Sequence, residues 1–293
     1  MDFDRLEVFN EGIILKSVRN FELPHIFDCG QCFRWRRLEN GNYVGIAFDK
    51  VIEIEKKDDD VLIYNTNEED FNNIWIDYFD LKTNYLAIKE TLSEDPLLKE
   101  AIEFGKGIRI LAQEPFEIII SFIISSNNRI PMIKKVIANI CRNWGKPIFY
   151  KGETYYSFPD VYTLSMLEVE DFQKCSAGFR SKYIKDTADK ICSCVCDVDG
   201  IKCKNDDASH IELQKLSGIG PKVADCIMLF SMGKYSAFPV DVWVKRAMQY
   251  FYLAPDVSLP KIRQFARDKF GELSGYAQQY LFYYARENKI NIG

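Results

Sequence analysis

The apolar residues of this chain change period once, near residue 68, and that change limits the fold more than any other feature. Before it, short runs rich in β-branched and aromatic residues read as strands: Ile13-Ile14-Leu15, Cys32-Phe33-Arg34-Trp35, Tyr43-Val44-Gly45-Ile46-Ala47, Val51-Ile52-Glu53-Ile54 and Val61-Leu62-Ile63-Tyr64. Glu39-Asn40-Gly41-Asn42 has the residues of a hairpin turn, and Lys56 to Asp60 reads as a charged loop. After it, apolar residues recur at helical spacing. Helices are predicted over roughly 70–80, 84–92, 96–104, 116–126, 131–143, 163–174, 181–195, 208–216, 221–232, 242–252, 259–270 and 275–288. The turn-rich stretch 146–160 has room for a short hairpin. The expected fold class is α+β. A small N-terminal antiparallel twisted β-sheet domain with some helices spans 1–105, and a larger all-α body spans 106–293.

Composition narrows the function classes. A chain of 293 residues, 47% hydrophobic and 28% charged, has the proportions of a water-soluble globular protein with real cores. No apolar run reaches bilayer length, so no membrane partner is expected. Met1-Asp2-Phe3-Asp4-Arg5 lacks the basic start and apolar core of a secretory signal, and the expected location is cytoplasmic. Nine irregularly spaced cysteines then read as reduced thiols. A net charge of −5 is not the overall signature of a nucleic-acid binder. Local patches and helix N-termini can nonetheless hold phosphate whatever the net charge.

The chemistry concentrates in Leu216-Ser217-Gly218-Ile219-Gly220-Pro221-Lys222-Val223-Ala224-Asp225-Cys226. Gly218 and Gly220 allow a tight turn between helices, and Pro221 opens the second helix where its missing N–H costs nothing. The free N–H groups of that turn form a phosphate site without side chains. Further on, Asp241 in Phe238-Pro239-Val240-Asp241-Val242-Trp243-Val244 occupies an N-cap position before an apolar helix. A cap alone would account for Asp241, and a solvated surface amine for Lys222.

The full hairpin string resembles the helix-hairpin-helix element of the DNA glycosylase superfamily, and the spacing to Asp241 fits that superfamily's catalytic pair. Gly30-Gln31-Cys32-Phe33-Arg34-Trp35, Ile123-Ile124-Ser125-Ser126-Asn127-Asn128, Gly178-Phe179-Arg180 and Gly275-Tyr276-Ala277-Gln278-Gln279-Tyr280-Leu281-Phe282 extend the likeness over nearly the whole chain. Together they look like the 8-oxoguanine DNA glycosylase family of the eukaryotic type, including its bacterial members.

The resemblance implies a bifunctional glycosylase and AP lyase acting on duplex DNA that contains oxidised guanine. Lys222 would be the nucleophile and Asp241 its electrostatic partner. The Gly30 carbonyl would accept the N7 hydrogen that oxidised guanine has and guanine lacks. Gln278 would read the Watson–Crick edge, Phe282 and Cys226 would sandwich the ring, and Pro239 would line the pocket. Gln278 and Phe282 share a helix face by spacing alone. Asn127 would fill the gap left by the flipped base, and Phe179, where the family typically has Tyr, would wedge beside the opposite base. Gly218 and Gly220 would hold phosphate.

Two departures matter. Met132 stands where the family commonly places the Arg that reads the opposite cytosine, with Arg129 nearby at a different point of the turn. Weak discrimination of the opposite base is therefore expected. Trp243 replaces a common His, so phosphate contact there needs another route, such as the indole N–H.

No cofactor is required by this chemistry, and monomeric action is expected from the family. Cys192, Cys194, Cys196 and Cys203 precede the hairpin, with spacing unlike the iron–sulfur cysteines of endonuclease III relatives, and no catalytic metal is expected. The resemblance allows a structural cation at the carbonyls of Leu216 and Ile219. The alternatives are a glycosylase for another damaged base and a non-catalytic helix-hairpin-helix DNA-binding protein.

Overall fold

The computed structural model describes residues 1–253 and 256–289. Six strands, β1 (Arg5–Phe9), β2 (Gly12–Lys16), β3 (Trp35–Arg37), β4 (Tyr43–Ala47), β5 (Lys50–Lys57) and β6 (Asp60–Tyr64), form one antiparallel sheet in the order β1-β2-β6-β5-β4-β3. Alternate residues of the central strands, among them Ile13, Leu15, Ile52, Ile54, Val61 and Ile63, are buried in one apolar core. Trp35 anchors it, stacked on Phe27 with centroids 4.0 Å apart and donating its indole N–H to the Tyr78 hydroxyl at 2.8 Å. Gly45 lies opposite Trp35 in the register, and a Cβ there would sit 2.2 Å from the indole ring. Only a glycine lets the strand pass beneath that side chain.

Several helices follow their predicted spans closely: Tyr85–Leu92, Pro96–Phe104, Pro115–Ser125, Ile130–Trp144, Pro221–Ser231, Val242–Phe251, Leu259–Phe270 and Ser274–Glu287. The hairpin expected within 146–160 is present as β7 (Pro147–Tyr150) and β8 (Glu153–Tyr156). Other expectations need correction. Cys32, Phe33 and Arg34 lie outside β3, because polar side chains hold this stretch in an irregular path. Arg34 pairs with Glu117 at 3.0 Å and donates to the Tyr156 carbonyl. The charged loop shrinks to a turn at Asp58 and Asp59, since β5 continues through Lys57. The helix expected over 70–80 starts at Glu68 and contains a π-helical turn, Phe71–Trp75. The span 163–174 divides into Val161–Ser165 and Val169–Lys174, where Glu168 and Asp171 form a capping box. The helix from Ser181 ends at Cys192, and Cys194 adopts φ 58°. Asp206–Leu213 replaces 208–216, and β1, Leu23–Phe27 and Val198–Cys203 were not anticipated.

A second, larger core joins the helices. Buried Gln31 stitches the two cores together. Its Nε2 donates to the carbonyls of Ile26 at 2.9 Å and Arg109 at 2.7 Å, its Oε1 accepts from Leu111 N–H at 2.9 Å, and its own carbonyl accepts from Gln113 Nε2. Every polar group of this amide is used, which fixes the loop carrying Gly30 against the helical body.

Candidate base pocket and DNA-facing surface

Gly218 has φ +84°, and a Cβ there would lie 2.7 Å from the Tyr183 ring, so both backbone and packing demand glycine. Gly220 differs. It is exposed, it has φ −92°, and open space surrounds the place of its missing side chain. No described residue requires glycine there, which leaves bare backbone facing outward at the start of helix Pro221–Ser231. Leu216 and Ile219 are buried in the turn, and the Leu216 carbonyl already accepts the Ile219 N–H at 3.2 Å.

Lys222 is half-buried one residue into that helix. Its Nζ stands 5.3 Å from the Phe122 ring centroid, and its charge acts on the Cys226 thiol one turn later. Burial pushes that thiol up to about 11, against the pull of the Lys222 charge. Cys226 is thus a neutral, buried thiol. Asp241 is the N-cap of helix Val242–Phe251, its Oδ1 accepting from Trp243 at 3.0 Å and Val244 at 2.8 Å. Burial raises the Asp241 carboxyl, opposed by the Val244 N–H, Lys222, the Trp243 N–H and Arg286. Lys222 and Arg286 therefore both act electrostatically on Asp241. Pro239 is buried just before it.

Gly30 (φ +85°) lies against the last helix. A Cβ on it would come within 3.1 Å of Phe282 Cε1 and 3.3 Å of Arg286 Nη1. Gln279 holds the same loop, donating from Nε2 to the Cys29 carbonyl at 3.0 Å. Gln278, one turn before Phe282, is buried, and its Oε1 has no hydrogen-bond partner among the described residues. An amide oxygen without a donor costs about 1–3 kcal/mol unless a ligand supplies one.

A second group gathers around Arg180. This buried guanidinium donates to the Ser126 carbonyl at 2.8 and 2.5 Å and to the Asn127 carbonyl at 2.9 Å, and it lies 4.3 Å from the Phe179 ring centroid. It brings exposed Asn127 (φ 50°) and exposed Phe179 onto one face. Arg129 and Met132 are exposed at the start of helix Ile130–Trp144, directly after that loop. Trp243 packs under Arg246, whose guanidinium carbon is 5.1 Å from its ring.

Sequence reasoning gave no role to Arg180, Gln31, Gln279, Arg246 or Arg286. The first three stood inside quoted motifs, and Arg246 follows Trp243 at helical spacing. Arg286 left no such signal. Cys192, Cys194, Cys196 and Cys203 are free thiols, and no group of three or more metal-ligating side chains forms among the described residues. His25 accepts the Gly107 N–H at 3.2 Å, and His210 stands 3.1 Å from the Pro221 carbonyl and 3.5 Å from Asp225. No helix among the described residues is long and apolar enough to cross a membrane.

A helix-hairpin-helix turn bearing a lysine, a half-buried aspartate in its field and a buried amide oxygen without a partner among the described residues are the features of a helix-hairpin-helix protein of DNA base repair. Residues 120–272 match the family model of the HhH-GPD superfamily base excision DNA repair protein, and residues 13–119 match that of the 8-oxoguanine DNA glycosylase N-terminal domain. The chain belongs to the 8-oxoguanine DNA glycosylase family of that superfamily. It is 34% identical to the probable N-glycosylase/DNA lyase of Methanothermobacter thermautotrophicus, over 72% of each chain. It is 30% identical to the N-glycosylase/DNA lyase OGG1 of Arabidopsis thaliana, over 89% of this chain and 76% of that one. The Clostridium acetobutylicum 8-oxoguanine glycosylase/lyase, solved with double-stranded DNA containing cytosine opposite 8-oxoG, superposes with TM-score 0.98 at 62% identity, covering 99% of this chain and all of that one.

Proposed function

We propose that this chain excises 8-oxoguanine from duplex DNA and then nicks the strand, as a bifunctional DNA glycosylase and AP lyase. The observation that carries this is the placement of half-buried Lys222 in the field of half-buried Asp241, together with the unpartnered acceptor that buried Gln278 keeps. The flipped base offers that acceptor its N1–H and N2–H donors, and its N7–H meets the Gly30 carbonyl. Phe282, Cys226 and Pro239 close around the ring.

As the bond from C1′ to the base breaks, positive charge grows on the sugar, and the Asp241 carboxylate stabilises it. The Lys222 amine, deprotonated at the moment of attack, bonds to C1′ while the base leaves with the electron pair. Opening of the sugar ring gives a Schiff base, and β-elimination expels the 3′-phosphate. The exposed face holds the duplex: Asn127 fills the vacated stack, Phe179 wedges beside the opposite base, and Gly218, Gly220 and Trp243, the last with Arg246, meet phosphates. Met132 offers the opposite base no hydrogen bond, so discrimination there is weak. The enzyme acts as a monomer, with its sheet domain over 1–105 and its helical body over 106–293. The remaining lone pair of the Leu216 carbonyl and the Ile219 carbonyl suit a hard structural cation that takes no part in the chemistry.

Borohydride trapping on duplexes carrying 8-oxoguanine tests this. Wild type gives a covalent DNA adduct and Lys222→Gln gives none. Neither adduct nor base release from wild type would leave a DNA-binding module instead.

A further inference from the structure

We propose that Arg286 reads the lesion directly, donating a hydrogen bond to an exocyclic carbonyl oxygen, O6 or O8, that flanks N7 of the flipped base. This rests on the pocket described above and extends it to a residue outside every motif recognised in the sequence.

Two of the three guanidinium nitrogens are engaged at the rim. Nη2 donates to the Asp28 carbonyl at 2.6 Å, and Nε donates to Glu287 Oε1 at 2.9 Å. These bonds fix the orientation of the plane and leave Nη1, which is buried and has no hydrogen-bond partner among the described residues. That nitrogen lies at the Gly30 backbone, 3.3 Å from where a Cβ would stand, beside Phe282 Cε1. The guanidinium carbon is 5.2 Å from the Phe282 centroid, and its charge reaches Asp241. A buried guanidinium N–H without an acceptor carries a desolvation cost that an incoming acceptor offsets.

The chemistry of the lesion supplies one. With its N7–H on the Gly30 carbonyl, oxidised guanine presents O6 on one side of that contact and O8 on the other. A donor fixed beside Gly30 completes an acceptor–donor pair that matches this edge. Asp28 and Gly30 belong to one loop, so the tether that aims Arg286 also moves with the carbonyl it complements. Guanine offers neither the N7–H nor O8.

The test compares wild type with Arg286→Gln and Arg286→Lys in three assays. Single-turnover excision of 8-oxoguanine falls about 10- to 100-fold in both variants. Strand cleavage at a preformed abasic site, which needs Lys222 and Asp241 but no base, stays within about twofold in Arg286→Lys, which keeps the charge that acts on Asp241, showing that fold and nucleophile are intact. Binding is then measured in a Lys222→Gln background to duplexes with 8-oxoguanine or 8-oxoadenine, which keeps O8 but carries an amino group at C6. Equal weakening on both places the contact at O8, and weakening on 8-oxoguanine alone places it at O6. Unchanged excision, or excision and abasic cleavage falling together in Arg286→Lys, would overturn the proposal. Absence of excision by wild type would instead sink the function, whatever Arg286 does.

Discussion

Asp241 accepts the Val244 N–H at 2.8 Å through Oδ1, and the same oxygen accepts from Trp243. One oxygen thus carries the whole helix cap, so capping and charge can be separated chemically. Asp241→Asn keeps an Oδ1 acceptor and loses only the carboxylate. Thermal unfolding is expected to move by less than the equivalent of about 1 kcal/mol, while single-turnover excision falls about 100-fold or more. If activity and stability decline together in proportion, Asp241 is a cap and nothing else.

The Arg180 bonds to the Ser126 and Asn127 carbonyls hold the Asn127 loop beside Phe179. Arg180→Met removes the donors and keeps much of the bulk. The expected loss is about tenfold or more in affinity for lesion duplex, with the borohydride adduct still forming at saturating enzyme. Affinity at the wild-type level would mean that the loop holds its shape unaided.

Met132 is exposed beside that loop and has no group to pair with a base edge. Excision rates opposite cytosine and adenine are expected to lie within about tenfold, and Met132→Arg is expected to widen the gap in favour of cytosine by about 1–3 kcal/mol. A wild-type preference far beyond tenfold for cytosine would show that another residue reads the opposite base.

Glu114 sits where the sheet meets helix Pro115–Ser125, its Oε2 accepting the Phe48 N–H at 3.1 Å. Burial, and then the nearby Glu117 carboxylate, push it up to about 7. Between its ordinary value of 4.5 and about 7 the folded chain holds a proton that the unfolded chain has released. The stability this group contributes is therefore full below the lower value and lost as pH rises through the upper one. Glu114→Gln is expected to match wild type near pH 4 and to exceed it by about 1–3 kcal/mol near pH 8. Urea titrations at the two pH values decide it, and a variant weaker at pH 8 would contradict the burial argument.

What the sequence disclosed followed from punctuation and period. Pro and Gly mark the hairpin before Lys222 so plainly that both its helices and its turn were legible, and the long apolar helices declared themselves by spacing. β1 was missed because it is an edge strand whose residues, such as exposed Val8, show no buried alternation. Cys32-Phe33-Arg34 looked like strand because apolar content is local, whereas the Arg34–Glu117 pair that bends it is not. The same limit hid Arg286, whose meaning depends on Gly30 and Phe282 being adjacent in space.

The bond from Gln279 Nε2 to the Cys29 carbonyl joins residues 250 positions apart. During synthesis, the segment bearing Lys222 and Asp241 leaves the ribosome before the helix that closes onto the Gly30 loop. A nascent chain can thus carry both Lys222 and Asp241 before the two ends of the sequence have met. The loop that carries Gly30 gains its last two hydrogen-bonding supports, from Gln279 and Arg286, only when the C-terminal helix docks.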